Sequence, residues 1–256
     1  MDKKNILVTG ASSGIGRETC VYLSGQGYRV IALSRTEEKL KELVEDLNPD
    51  DTYIAYDLFD FEHYEEVFKF LQASGLKLDG MVHSAGISAN LPIKVKQMEM
   101  MEKQMQLNCF AFAELGRYFS KKRYSNDGAS MVAISSQAAV MCDKGLAGYA
   151  ASKAALNAVT QVMAKEFARR KIRVNALMPS FVDTDLPTRN SVGVSDLSEK
   201  IERNQPFGII PPRQIAYYVE FLLSGKSDYI TGSLLPVTAG YFTEWGTKEH
   251  ASRQSS

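Results

Sequence analysis

The sequence predicts an α/β fold in which helices cover both faces of a doubly wound, mostly parallel seven-stranded sheet. Short β-branched segments alternate along the chain with longer segments of helical periodicity, the pattern of consecutive strand–helix–strand units. The strand segments are apolar at nearly every position, as expected where helices cover both faces of a sheet. No linker and no internal repeat divides the chain, so residues 1–256 are predicted to form a single domain.

The alternation assigns each element in order. Strands are expected at residues 5–9, 29–33, 52–55, 80–83, 130–135, 173–177 and 233–237. Helices are expected at residues 15–24, 37–47, 62–72, 97–121, 149–170 and 213–223. The polar, turn-rich stretch 183–207 is interpreted as a substrate lid, because a loop of this length in a compact domain usually closes over a ligand. Residues 241–256 are interpreted as a frayed tail.

The composition excludes several classes of function. Thirty Lys and Arg residues balance 30 Asp and Glu residues, so the chain lacks the basic excess that non-specific nucleic-acid binding requires. No stretch approaches the ~18 consecutive apolar residues of a membrane span, and the apolar run after the charged N-terminus is too short for a signal peptide. The three cysteines form no metal-binding pattern. We therefore expect a cytoplasmic protein with no nucleic-acid, membrane or metal partner.

A glycine-rich turn follows the first predicted strand and opens the first predicted helix. Glycine permits a tight turn, and its missing Cβ lets a pyrophosphate approach the backbone. The start of the helix adds free N–H groups and the positive end of the helix dipole. At this position the turn is interpreted as the phosphate cradle of a dinucleotide cofactor in a Rossmann fold. Its candidate contacts are Gly10, Ser12, Ser13, Gly14, Ile15 and Gly16.

The end of the second predicted strand carries Ser34 and Arg35. A site for NAD(H) usually has an acidic residue here, which holds the ribose 2′-hydroxyl. An arginine beside a hydroxyl suits a 2′-phosphate instead, because the guanidinium supplies positive charge and forked donors. The sequence therefore predicts NADP(H) in preference to NAD(H). Asp57 and Leu58, after the third predicted strand, are expected to border the adenine.

Tyr149 and Lys153 are four residues apart on a predicted helix, so their side chains share one face. Free tyrosine has a pKa of about 10, too high for efficient acid–base work at neutral pH. An ammonium about 4 Å away contributes roughly 4 kcal/mol at an effective dielectric near 20, which is about three pKa units. We therefore expect Lys153 to bring the pKa of Tyr149 to about 7, where the phenol can exchange a proton with a carbonyl oxygen.

Two further polar residues fit this chemistry. Ser136 follows the fifth predicted strand, and its hydroxyl could stabilise an alkoxide that develops on the substrate. Ser135 is the neighbouring candidate, and the spacing favours Ser136. Asn108 interrupts an apolar helical stretch, where a buried amide is unfavourable unless it is hydrogen-bonded. A role in a proton relay and a role as a core or capping residue both fit Asn108.

Together these motifs resemble the short-chain dehydrogenase/reductase family. The resemblance runs from Thr9 to about Gly240 and includes TGASSGIG at 9–16, HSAG at 83–86, YAASK at 149–153 and RVNALMPSFVDT at 173–184. It implies a catalytic tetrad of Asn108, Ser136, Tyr149 and Lys153, in which Tyr149 and Lys153 also contact the cofactor. It further implies cofactor contacts from Ser84, Ala85, Gly86, Pro179, Val182 and Thr184.

The chain departs from the commonest family pattern at a few positions. His83 and Ser84 stand where two asparagines are frequent, and Ser180 stands where glycine often follows Pro179. These departures leave the chemistry intact but weaken an assignment to any one subfamily. The layout looks most like the 3-oxoacyl-(acyl-carrier-protein) reductases, and basic clusters at 121–123 and 169–171 would suit an acidic carrier protein or a solvated helix end.

The leading hypothesis is an NADP(H)-dependent oxidoreductase that interconverts a ketone or 3-oxo group and a secondary alcohol. One alternative is an NAD-dependent sugar or alcohol dehydrogenase, and another is a regulatory protein that binds the cofactor without catalysis. The expected partners are a small carbonyl or alcohol substrate, which could be a carrier-bound acyl chain, and further copies of the chain in a homodimer or homotetramer. Residues 138–148 and the lid 183–207 are expected to determine the substrate, but neither stretch has a readable code for it.

Overall fold

Seven parallel strands form one sheet in the computed structural model of the chain, which describes residues 3–184 and 205–241. The order across the sheet is β3-β2-β1-β4-β5-β6-β7, which confirms the predicted doubly wound arrangement. The strands are β1 Asn5–Thr9, β2 Arg29–Ser34, β3 Thr52–Ala55, β4 Leu78–His83, β5 Ser125–Ile134, β6 Arg173–Pro179 and β7 Leu234–Val237.

Helices connect consecutive strands. They are α1 Gly14–Gly25, α2 Glu37–Glu45, α3 Tyr64–Ala73, α4 Met98–Met105, α5 Ala111–Phe119, α6 Ala138–Met141, α7 Ala147–Glu166 and α8 Pro212–Leu223. A π-helical turn, Gln106–Phe110, joins α4 to α5, and short 3₁₀ turns follow α7 and α8. Within the described ranges, no helix has both the length and the apolar character that a membrane crossing requires.

Successive strand residues point to opposite faces of the sheet and enter two separate cores. Leu7 of β1 packs with α3, α5 and α7, through buried residues that include Phe68, Phe112 and Leu156. Its neighbours on β1 face the other side, where Leu23 of α1 and Val219 of α8 are buried. Both faces are therefore covered, which explains why the strands read as continuous apolar runs.

Three element predictions differ from the structure. The predicted helix 97–121 is interrupted by the π turn, where Asn108 is buried. β5 begins at Ser125, before the predicted start at residue 130, because Ser125 pairs with Leu78 across a register shift in the ladder. The helix α6 was not predicted, since four residues are too few to show a period.

Most of the predicted lid, residues 185–204, and the tail beyond Tyr241 lie outside the described residues.

The parallel arrangement brings the carboxyl ends of the strands to one edge of the sheet. Thr9, the last residue of β1, pairs with Leu33 of β2 on one side and with His83 of β4 on the other. The loops that follow these strands therefore start side by side. In open α/β sheets ligands bind at this edge, where the strand order reverses direction.

Candidate active site

A cavity of about 450 Å³ lies at the carboxyl edge of the sheet. Most of the predicted site residues line it, namely Gly10, Ser12, Ser13, Gly14, Ile15, Ser34, Arg35, Asp57, Leu58, Ser84, Ala85, Gly86, Ser136, Tyr149, Lys153, Pro179, Val182 and Thr184. Two predicted residues, Gly16 and Asn108, do not line the cavity, and each contacts a residue that does. The structure thus gathers residues from both halves of the sheet into one cleft.

The backbone geometry of the first turn requires glycine at several positions. Gly10 has φ +67°, and a Cβ there would lie 2.7 Å from the amide nitrogen of Ala85. Gly14 also has positive φ, and a Cβ on Gly16 would lie 2.2 Å from the carbonyl oxygen of Gly10. These contacts hold the turn against the loop after β4 and bring the first turn of α1 over the cavity. The close backbone approach is what a pyrophosphate requires.

The N-terminus of α1 suits an anion. Ser13 is the N-cap residue, and its side chain makes no capping hydrogen bond to the first turn. The first turn also carries no acidic side chain. The free N–H groups and the helix dipole together favour a phosphate at this point. The residues present therefore fit the pyrophosphate of a dinucleotide cofactor.

Arg35 extends from the end of β2 at the adenosine end of the cavity. The residue is exposed, and among residues 3–184 and 205–241 no ion pair or hydrogen bond engages its guanidinium. The Ser34 hydroxyl accepts a 3.3 Å hydrogen bond from the Thr36 amide, which fixes the turn after the strand. Tyr56 and Phe59, which the sequence reasoning missed, flank Asp57 and Leu58 and line the same end.

Tyr149, Lys153 and Ser136 meet at the other end of the cavity. Tyr149 and Lys153 lie on α7, and the Lys153 ammonium is 5.7 Å from the centroid of the Tyr149 ring. Ser136 forms a side-chain hydrogen bond with the Tyr149 phenol. Ser135 instead directs its hydroxyl at the carbonyl oxygen of Lys153, 3.4 Å away. Of the two candidate serines, Ser136 is the one whose hydroxyl contacts the tyrosine.

The expected pKa of Tyr149 is wrong for the chain without cofactor. Burial raises the pKa of Tyr149 above its usual value, and the Ser136 hydrogen bond only partly opposes that rise. Burial also lowers the pKa of Lys153 to about 8. The physical reason is that Lys153 donates a 2.8 Å hydrogen bond to the Ile134 carbonyl oxygen, so its ammonium is directed at the backbone of β5. Loss of hydration therefore outweighs the attraction that the sequence spacing suggested.

Asn108 sits in the π turn and is fully buried. Its amide group donates to the carbonyl oxygen of Ile87 at 3.0 Å and to the Ser152 hydroxyl at 2.9 Å. Its side-chain oxygen accepts from the Ile87 amide at 2.8 Å. Asn108 thus holds both backbone groups of Ile87, a cavity-lining residue next to Gly86. π turns recur at functional sites because the extra residue re-aims one side chain, and here that side chain is Asn108.

The segment after β6 closes the cavity near Tyr149. Val182 forms a β-bridge with Ile210, and Thr184 packs against Gly14 of the phosphate turn. The Ser180 hydroxyl hydrogen-bonds with the side-chain oxygen of Gln205 at 2.8 Å. Ser180, at a position where the family often has glycine, therefore anchors Gln205.

Comparison with known proteins identifies the family. A family model described as Enoyl-(Acyl carrier protein) reductase matches residues 10–242. L-xylulose reductase of Caenorhabditis elegans is 34% identical over 93% of this chain and 95% of its own length. The 3-oxoacyl-(acyl-carrier-protein) reductase of Rickettsia bellii is 36% identical over 91% and 95%. The chain belongs to the short-chain dehydrogenase/reductase family.

A solved member of the short-chain dehydrogenase/reductase family has the same architecture. The structure of 4-hydroxyisoleucine dehydrogenase complexed with NADH superposes with a TM-score of 0.85, at 29% identity, over 93% of this chain and 98% of that one. Family membership makes the protein an oxidoreductase of the type that interconverts CH–OH and C=O groups with a nicotinamide cofactor.

His83 replaces a frequent asparagine of the short-chain dehydrogenases/reductases and ties three elements together. Its Nε2 atom lies 3.2 Å from the Leu107 carbonyl oxygen, which can only accept, so Nε2 carries the proton. Nδ1 then accepts from the Thr9 hydroxyl at 3.0 Å, and that hydroxyl accepts from the Ala85 amide. Burial lowers the pKa of His83 to about 3, so the ring stays neutral.

Several cavity residues were missed by the sequence reasoning. Most lie within a few residues of a predicted one and could have been found as its neighbours on the same loop. They are Tyr56, Phe59, Ile87, Ser88, Leu107, Ile134, Gln137, Ser180, Phe181, Ile209 and Tyr241. Ile209 and Tyr241 are distant in sequence from every predicted catalytic or cofactor-binding residue, and no sequence signal marks them.

Proposed function

We propose that the chain is an NADP(H)-dependent reductase that converts a small ketone to a secondary alcohol, with Asn108, Ser136, Tyr149 and Lys153 as its tetrad. The observation that carries the proposal is the hydrogen bond between the Ser136 hydroxyl and the Tyr149 phenol inside a cleft that fits a dinucleotide. A carbonyl oxygen next to both hydroxyls could accept a hydrogen bond from each. When bound, the cofactor supplies the hydride that adds to the carbonyl carbon.

Tyr149 then gives its phenolic proton to the oxygen as the C=O double bond becomes a single bond. Because burial raises its pKa, Tyr149 is protonated at neutral pH, which is the form that reduction needs. Ser136 donates a hydrogen bond to the oxygen as negative charge develops on it. The Lys153 ammonium lies beside Gly86, where it would bind the ribose hydroxyls and stabilise the tyrosinate that remains.

The choice of NADP(H) rests on Arg35. An exposed guanidinium at the adenosine end of the cleft, where an acidic residue would otherwise hold the ribose, supports a 2′-phosphate. An NAD-dependent sugar or alcohol dehydrogenase is the second candidate, because 4-hydroxyisoleucine dehydrogenase was solved with NADH and L-xylulose reductase acts on a sugar.

Assembly into a homodimer or homotetramer in the cytoplasm belongs to the same proposal. The support is an exposed face of α7 that carries the small residues Ala151, Ala154 and Ala158. Two large apolar side chains, Phe110 and Val162, are also about half exposed. A carrier-bound acyl substrate has less support, because Arg170 is engaged by Asp127 and by backbone oxygens.

The test is a Tyr149→Phe variant assayed with NADPH and a panel of ketones. We expect kcat to fall by roughly 10²- to 10⁴-fold, since the general acid is removed, while NADPH affinity stays unchanged in a fluorescence titration. Tyr229→Phe is the matched control, because Tyr229 is fully exposed, and it should retain wild-type turnover. Near-wild-type turnover by Tyr149→Phe would exclude the mechanism.

A further inference from the structure

Two neutral polar side chains in the cavity wall have no hydrogen-bond partner among the described residues. Gln137 is 8% exposed and Ser88 is 9% exposed, and both line the cavity. In the part of the chain that the structure describes, no group hydrogen-bonds the side-chain amide of Gln137 or the hydroxyl of Ser88. The Ser88 hydroxyl is buried and unpaired among the described residues, and the Gln137 side chain lines the cavity, so a ligand could form hydrogen bonds with both.

Gln137 stands next to the proposed reacting atoms. It directly follows Ser136, whose hydroxyl contacts the Tyr149 phenol. Its own backbone amide donates to the Pro179 carbonyl oxygen at 2.9 Å, which fixes it between β5 and β6. Gln137 therefore lines the same cavity as Ser136 and Tyr149, beside the proposed reacting atoms.

The charges around the cavity favour a neutral substrate. Its charged lining residues within the described ranges are Arg35, Asp57, Asp143 and Lys153. Arg35 and Asp57 lie at the adenosine end, and Lys153 directs its ammonium at the Ile134 carbonyl oxygen. The described wall near Tyr149 thus offers no guanidinium fork for a carboxylate or phosphate. An amide, in contrast, both donates to and accepts from a hydroxyl.

We infer that Gln137 is a specificity-determining residue that hydrogen-bonds a hydroxyl on the carbon next to the reacting carbonyl, so that the substrate class is a neutral α-hydroxy ketone, reduced to a vicinal diol. This inference rests on the proposed carbonyl reduction. Two electrons and one proton arrive as hydride on the carbonyl carbon, a second proton comes from Tyr149, and the neighbouring hydroxyl is unchanged. Ser88 offers a second contact for substrates that carry further hydroxyls.

The first test compares hydroxyacetone with butanone, in which a methyl group replaces the hydroxyl. Both are small and neutral, and both have a carbonyl flanked by a methyl group. We expect wild-type kcat/KM to be about 10- to 100-fold higher for hydroxyacetone, because only hydroxyacetone can form a hydrogen bond with the Gln137 amide. An acetoacetyl thioester, whose carbonyl is followed by a CH₂ group, should resemble butanone.

The second test is a Gln137→Met variant, which keeps the length and volume of the side chain and removes the amide. We expect it to lower kcat/KM for hydroxyacetone by about 10- to 100-fold and to leave the value for butanone within about threefold. Gln72→Met is the matched control, because Gln72 is exposed on α3 away from the cavity. It should leave both values unchanged.

Equal wild-type kcat/KM for hydroxyacetone and butanone would overturn the inference, with no variant required. An equal loss for both ketones in Gln137→Met would overturn it as well. In either case, reduction of butanone or the thioester leaves the proposed function standing. If wild-type protein reduces no ketone with NADPH or NADH, the proposed function fails, and the inference fails with it.

Discussion

In the proposed function, the choice between NADP(H) and NAD(H) depends on a single side chain, that of Arg35. The guanidinium is exposed at the adenosine end of the cleft and makes no contact with the described residues that would occupy it. Arginine binds a phosphate through parallel charge-assisted hydrogen bonds, which aspartate would replace by repulsion. Because Arg35 follows β2, its proposed selection of NADP(H) over NAD(H) would not depend on the residues around Tyr149.

We expect Arg35→Asp to lower the ratio of kcat/KM with NADPH to kcat/KM with NADH by about 10- to 100-fold. Initial rates at matched cofactor concentrations measure it. Arg169→Asp is the control, because Arg169 is an exposed arginine on the turn after α7, and the same change of charge there should leave the ratio as it was. A ratio that does not move in Arg35→Asp would remove the reason for preferring NADP(H).

Individual side chains also mark the limit of sequence reasoning. Tyr149, Lys153 and Ser136 could be predicted because their spacing on a strand and a helix fixes their neighbours. The pKa of Tyr149 could not, because it depends on how far burial removes water from the phenol. The amide of Gln137 escaped notice for a related reason, since only the folded chain reveals that it lines the cavity.

At the scale of elements, α1 depends on the glycine at its third residue, Gly16. A Cβ on Gly16 would lie 2.2 Å from the Gly10 oxygen and 2.7 Å from its carbonyl carbon, and both atoms belong to the backbone. The clash cannot be relieved by rotating a side chain, so the turn or the helix must shift. Gly25, at the other end of α1, has nothing within 4 Å of a built Cβ.

We expect Gly16→Ala to lower the free energy of unfolding by about 1–3 kcal/mol, as overpacking does, and to weaken NADPH binding. Gly25→Ala should raise stability by up to about 1 kcal/mol, because alanine is the better helix former. Urea unfolding and a fluorescence titration of the cofactor measure the two effects. Equal stability of the two variants would show that the tight approach of α1 to the first turn is dispensable.

Most elements could be predicted because each carries its own pattern. The apolar β-branched runs predict all seven strands, and the 3.6-residue period predicts the long helices. The π turn could not be predicted, because one extra residue in a helix barely changes the apolar pattern around Asn108. β5 is longer than expected because Ser125 pairs with Leu78 of β4, and the Asn126 side-chain amide donates a hydrogen bond to the Asp79 carboxylate.

At the scale of the whole molecule, His83 links stability to pH. Its folded pKa of about 3 lies below the unfolded value of about 6.5, so the unfolded chain binds the proton more readily. The contribution of neutral His83 to stability is therefore complete above about pH 6.5 and declines as the pH falls toward 3. The neutral ring joins β1, β4 and the π turn, so protonation opposes the contact between these elements.

We expect His83→Asn to remove this dependence, because an amide stays neutral over the whole range. Between pH 6.5 and 4.5, wild-type protein should lose roughly 2 kcal/mol more unfolding free energy than the variant. Denaturant titrations at several pH values measure the difference. His63→Asn is the control with the opposite sign, since the Asp60 carboxylate raises the pKa of exposed His63. Parallel pH curves for wild type and His83→Asn would contradict this account.

The hydrogen bond between Thr9 and His83 can form only after the ribosome has synthesised β4. The two residues are 74 positions apart, and β1 lies between β2 and β4. At about 5–20 residues per second, the ribosome needs roughly 4 to 15 seconds to make the partner after β1 is complete. During that interval β1 can pair with β2 once β2 has been made, but its other edge has no partner until β4 follows. Newborn chains thus pass through a stage in which the apolar edge of a half-built sheet is exposed to chaperones and to other nascent chains.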